Sequence, residues 1–172
     1  MVWAVRMLDH MRTRILQALS LFSTGLLAGA FAYGAANLVP TFNAVPIDMR
    51  LDFHTALMKM NGITMQATMA VSALTTLGLA ASERGRARVI AGAAGALVVA
   101  SFLITRFGNV PINGRIKQWA ATAPPDGYAE VLRRWELFND ARTLTAAIAL
   151  GLLVLLALPA RRPGSSPLPA SS

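Results

Sequence analysis

Four stretches of this sequence contain no charged side chain: 15–38, 60–82, 89–105 and 143–160. They run for 24, 23, 17 and 18 residues. An α-helix needs roughly 20 residues, within about 17–25, to cross the hydrocarbon layer of a bilayer. A water-soluble bundle would carry a charged stripe on each helix, and these runs carry none. Charged residues make up 14% of the chain, low for a soluble domain. The sequence therefore predicts an all-α, integral membrane four-helix bundle. It forms a single transmembrane domain over 1–160. A Pro/Ser-rich tail, 161–172, has a composition that predicts disorder.

The net charge of +8 would by itself point to nucleic acid. Its distribution points elsewhere. Arg6, Arg12 and Arg14 precede the first run, Arg84, Arg86 and Arg88 separate the second and third, and Arg161 and Arg162 follow the fourth. Only Asp9 and Glu83 oppose them on that side. The other side, 39–59 and 106–142, balances eight basic residues with six acids in longer segments. Short arginine-dense loops stay in the cytoplasm. Both termini are expected there in a cell membrane, with the two longer segments outside. Topology accounts for the charge, so no nucleic-acid partner is expected. A competing reading of the N-terminus stays open. Arg12, Arg14, the apolar stretch and Ala30-Phe31-Ala32 resemble a secretory signal with its cleavage site. Cleavage would remove one helix and leave the topology of the rest unchanged.

Along the chain, Gly25 and Gly29 form a G-x-x-x-G face in the first helix, and Gly92-Ala93-Ala94-Gly95-Ala96 is expected to give a similar small-residue face in the third. Such faces let helices approach closely in lipid. Pro40 and Pro46 are expected to bracket an outer loop, with Asp48 capping a helix that starts near Met49. Asn61 and Gln66 are expected to face the bundle interior, or Asn61 the membrane interface. Arg106-Phe107-Gly108-Asn109-Val110-Pro111-Ile112-Asn113 follows the third run, and Pro111 is expected to end that helix. A structured outer segment then leads to Pro124-Pro125-Asp126, a helix-start signal. From Gly127 one helix of about 48 Å can run to Leu158. On it Trp135, Phe138, Asn139, Arg142 and Ala146 share a face. Glu136 and Asp140 fall beside that face, within reach of Arg133 or Arg134.

The chemistry-bearing residues are few. There is no cysteine, which removes disulfides and thiolate metal sites. The two histidines, His10 and His54, fall on opposite sides of the predicted membrane and cannot share a haem. No Asp or Glu lies within a run, which argues against a di-iron carboxylate bundle and against a proton-coupled transporter. No metal and no cofactor is expected. His54, Asn61, Asn109, Asn113, Asn139 and Arg142 all belong to the outer end, with Trp119 and Trp135. Each has a plain reading as a cap, a snorkelling cation or an aromatic belt. Together they fit a pocket with apolar walls and a polar mouth, open to a ligand arriving through the lipid.

The pieces TGLLAGAFAYG, GNVPIN, Trp119, PPDGY and LRRWELFNDARTLTAAIA, in that order, resemble the four-helix membrane proteins of the anthrone oxygenase family. The likeness runs from about residue 20 to 158, and the N-x-P-x-N segment is its most specific part. It implies oxidation of a flat phenolic, anthrone- or quinone-like substrate by molecular oxygen without a cofactor. It further implies His54 as base and Asn109, Asn113 and Arg142 as oxyanion donors. Trp135, Asn139, Asn61 and Trp119 would hold the rings. At Asn139 the chain departs from the family pattern, where many members have a histidine. The alternative is a non-catalytic module that binds a lipid or quinone, or a small subunit of a membrane complex. Partners beyond the bilayer and a small aromatic ligand, and the oligomeric state, are not legible.

Overall fold

A computed structural model describes residues 2–158. The expected tail, 161–172, lies outside the described residues. The elements are α1 (Val2–Tyr33), a π-helical segment (Gly34–Leu38), α2 (Val39–Ala44), α3 (Ile47–Ser82), α4 (Gly85–Ile104), a second π-helical segment (Thr105–Asn109), α5 (Val110–Ala121) and α6 (Tyr128–Ala157). The fold is all-α. Four of its helical rods are long and apolar enough to cross a membrane: Met7–Ala44, Ile47–Ser82, Gly85–Ala121 and Tyr128–Ala157.

Two expectations about proline are corrected. Pro111 does not end the third helix, and Pro40 does not open a loop. Both sit in the first turn of a helix that continues beyond a π segment. Proline has no N–H, and its ring clashes with the carbonyl four residues back in an α-helix. The π segment resolves both problems one residue earlier. Val39 N–H bonds to the Gly34 carbonyl and Val110 N–H to the Thr105 carbonyl, each five residues back. The widened turn moves the obstructing carbonyl aside. The first outer connection thereby shrinks to Val45 and Pro46. Pro46, rather than Asp48, occupies the cap of α3, and Asp48 lies within its first turn, where a carboxylate suits the helix dipole.

The rods close a ring in which α1 packs on α3, α3 on α4, α4 on α6 and α6 back on α1. Large apolar side chains such as Leu26, Ile63, Leu74, Val89 and Leu155 point outward. Small and hydroxylated residues fill much of the interior: Ala91, Ala94, Ala146, Ala149, Ser20, Thr24, Ser72, Thr76 and Ser101. Packing of small residues holds helices together where lipid removes the hydrophobic drive. Ser20 donates to the Leu16 carbonyl at 2.7 Å, and Ser101 reaches across to the Arg142 carbonyl at 3.2 Å. The close approaches occur at Gly95, against Leu77, and Gly108, against Phe138. Gly29 and Gly92 face open space and Gly25 only touches Leu150, so the G-x-x-x-G of α1 marks no tight contact, while the small-residue face of α4 does so at Gly95.

The interior has two apolar layers. One, built on Leu27, Phe31, Met69, Val98, Ala149 and Leu153, lies in the middle of the rods. The other, built on Phe42, Leu51, Ile112, Ile116, Leu132 and Trp135, lies at the end carrying α2 and α5. At the opposite end the turn at Glu83–Arg84 is closed by Arg88, whose guanidinium donates to the Ala80 and Ala81 carbonyls at 3.2 and 3.1 Å. A cation there also offsets the negative end of the α3 dipole.

Candidate functional site

Between the two layers lies a cavity of about 610 Å³, reached by residues of all four rods. Both π segments line it, through Gly34 and Leu38 on one side and Thr105, Arg106 and Asn109 on the other. The inward stripe of α3 explains its other wall. Leu51 and His54 are buried, Met58, Asn61 and Met65 are half-buried, and Met69 is buried again. These residues follow helical spacing, and burial falls where the stripe meets empty space rather than a neighbour. On α6 the stripe Leu132, Trp135, Asn139, Arg142, Ala146 behaves in the same way at Arg142.

Aromatic rings build the half of the chamber nearer α2 and α5. The His54 imidazole lies parallel to Phe42, with centroids 4.8 Å apart and planes 8° apart. The Trp135 indole meets the imidazole edge-on at 4.5 Å. Trp135 Nε1 donates to Asn113 Oδ1 at 2.7 Å, which sets the indole's angle. At the inner end Arg142 lies over the Phe31 ring, 4.4 Å from its centroid. Its Nε and Nη2 donate to Asn139 Oδ1 at 3.2 and 2.7 Å, and its Nη1 reaches Thr105 Oγ1 at 3.5 Å.

The two buried asparagines are oriented by their partners. Asn109 must present its NH₂ to the Trp135 carbonyl, which it meets at 3.1 Å, and Asn139 must present its oxygen to the guanidinium. Asn109 Oδ1 and Asn139 Nδ2 are then left without a partner, as is His54 Nδ1. These residues are only 1%, 1% and 2% exposed. An unsatisfied buried polar group costs about 1–3 kcal/mol. All three, an acceptor, a donor and an imidazole nitrogen, belong to residues lining the one cavity. The cavity lining contains no carboxylate. Among the described residues no three His, Asp or Glu side chains gather in a metal-binding group.

The structure brings His54, Asn61, Asn109, Asn113, Trp135, Asn139 and Arg142 to this one cavity. Trp119 does not join them. It lies on α5 and packs against the apolar layer of Ile112, Ile116 and Leu132. Gln66 reaches the cavity from an exposed position on α3, and His10 is exposed near the far end of α1. The expected pairing of Glu136 with Arg133 or Arg134 is also corrected. Glu136 pairs across the bundle with Arg50 at 2.9 Å, and Arg133 takes Glu130 instead. Arg50 also bonds to Asn43 and lies 5.8 Å over the Phe42 ring. Sequence reasoning missed Arg50, Phe42, Phe31 and Thr105. Only Arg50 left a trace, as a lone cation among the apolar positions of an outer helix turn.

Fold and cavity define a four-helix membrane protein with a chamber walled by aromatic rings, buried amides and a guanidinium. The family model of the anthrone oxygenases matches residues 53–152, from the start of α3 to near the end of α6. The chain belongs to the anthrone oxygenase family. The match takes in His54, Asn109, Asn113, Trp135, Asn139 and Arg142, while Phe31 and Phe42 stand outside it. No curated protein and no solved structure matches the chain significantly.

Proposed function

We propose that the protein is a membrane-embedded oxygenase acting on a flat phenolic ring system of the anthrone type, in the cavity at the α2/α5 end of the bundle. The observation that carries this reading is the chamber itself: aromatic walls around unpartnered polar atoms on His54, Asn109 and Asn139, beside a guanidinium facing no carboxylate. Flat rings fit the chamber between the Phe42–His54–Trp135 cluster at one end and Phe31 at the other. His54 takes the benzylic proton, leaving an anion delocalised over the ring system and its oxygen. Arg142 and Asn139 Nδ2 hold that oxygen, and Asn113 and Asn109 fix the indole and its helix. The anion is electron-rich enough to reduce molecular oxygen directly. The new C–O bond forms at the deprotonated carbon, water leaves, and the quinone results: anthrone plus O₂ gives anthraquinone plus H₂O. The enclosed apolar site strengthens each of these electrostatic contacts. The arginine bias supports cytoplasmic termini in a cell membrane and a site towards the outer face.

One observation favours a second reading, a non-catalytic module holding a quinone or lipid. No carboxylate orients His54, whose Nδ1 has no partner, whereas a working base is commonly held by a third group. Aerobic incubation of protein-bearing membranes with an anthrone separates the two readings, by quinone absorbance and oxygen uptake. A rate no higher than that of empty membranes sinks the first. His54→Ala, which removes the base, and Asn139→Ala, which removes a donor to the oxygen, should each lower the rate by about 10²-fold. Unchanged rates in both would remove these site roles.

A further inference from the structure

The cavity carries positive charge and nothing to balance it. Arg142, Arg106 and Lys117 all line it, and no Asp or Glu does. Among the described residues the only ion pairs are Arg50–Glu136 and Arg133–Glu130. The whole rod that carries Arg106 and Lys117, Gly85–Ala121, has no acidic residue. Arg142 is held instead by a neutral amide, a hydroxyl and a ring face. A cation at such a position normally pairs with an acid or a backbone carbonyl. The cations are also spread along the cavity. Arg142 touches Thr105 at the inner end. Lys117 lies twelve residues further along the same rod, about 18 Å at 1.5 Å per residue. Lys117 and Gly114 line the cavity yet are exposed, so they form its mouth. A Cβ at Gly62 or Gly114 would meet nothing within 4 Å, so neither side of the slot is filled at that level.

We propose that the cavity takes a flat polycyclic acid as an anion, with an acidic ring oxygen against Arg142 and Asn139 at the inner end and a carboxylate against Lys117 at the mouth. This rests on the cavity being the substrate site and names the substrate more closely: a carboxylated ring system rather than a neutral one. Lys117 is then a specificity residue, remote from the reacting oxygen.

The full-length protein in phosphatidylcholine nanodiscs is titrated with anthraquinone-2-carboxylate and with 2-(hydroxymethyl)anthraquinone, following tryptophan quenching. The acid should bind at least about tenfold tighter than the alcohol, since an ionic hydrogen bond replaces a neutral one. K117Q should bring the acid down to the affinity of the alcohol, and K117R should restore the preference. R115Q, on the same helix but outside the cavity, should keep it. Equal affinities for acid and alcohol, or a preference that survives K117Q, overturn the proposal. So does a preference that vanishes when phosphatidylglycerol replaces phosphatidylcholine, which would assign Lys117 to a lipid headgroup. Oxygen uptake with a neutral anthrone is measured in parallel. Turnover with no preference for the acid sinks this inference alone, and absence of turnover sinks the oxygenase reading.

Discussion

Adding one methyl group at Gly108 should strain the contact between the second π segment and α6. A Cβ there would stand 2.6 Å from Phe138 Cγ, 2.7 Å from Cδ1 and 2.9 Å from Cδ2. Carbon atoms sit comfortably at about 3.5–4.0 Å, so ring or backbone must retreat by about 1 Å. The clash falls on the base of the ring, and a rotamer change of a half-buried phenylalanine does not easily relieve it. Overpacking of this kind costs about 1–3 kcal/mol. The retreat also moves Asn109, the next residue, whose NH₂ meets the Trp135 carbonyl at 3.1 Å. Gly108→Ala should therefore lower both stability and turnover. Unfolding of Gly108→Ala, Phe138→Ala and the double variant in detergent provides the measurement. If the contact is as described, the double variant loses less than the sum of the singles by about 1 kcal/mol or more. A Gly108→Ala protein within about 0.3 kcal/mol of the parent, or a strictly additive cycle, would refute the packing argument.

Removing the carboxylate of Glu136 leaves Arg50, only 6% exposed, without its counter-ion. Glu136→Ala should cost about 3–5 kcal/mol in denaturant unfolding, and Arg50→Met with Glu136→Leu should recover most of it. Trp135→Phe keeps a ring against His54 but deletes the donor to Asn113 Oδ1. Ring-ligand affinity should then weaken by about 0.5–1.5 kcal/mol in a binding titration, a few-fold effect. The chain has no cysteine, so single cysteines report topology cleanly. A membrane-impermeant maleimide should label Thr122→Cys in intact cells and Ser82→Cys only after lysis, and the reverse pattern would overturn the proposed orientation.

Much of the fold was legible because it depends on local properties. The four apolar runs and the Pro124–Gly127 start of the last helix are short-range patterns, and each appears as a rod or a boundary where expected. The shared face of Trp135, Asn139 and Arg142 was also readable, since helical spacing alone decides it. Charge pairing was not. Glu136 has arginines two and three positions away, yet it pairs with Arg50, 86 residues distant in sequence, because the bundle brings α3 against it in a buried setting. Trp119 looked equivalent to Trp135 as an outer-end aromatic, but only the direction of α5 decides which ring faces the chamber.

The amino-acid sequence by itself determined that this chain crosses a membrane as four helices, because hydrophobic length and the absence of charge are properties of a run and need no partner. It also determined which polar residues gather at one end. Only the tertiary structure decided how the two proline segments behave. Proline forbids an ordinary α-helical turn, but a broken helix and a π segment both satisfy that prohibition. The chain takes the π segment at both prolines, and at the second it packs Gly108 against the Phe138 ring. That choice carries the rods onward as α2 and α5, opens the chamber between them, and places Asn109 and Lys117 on its wall.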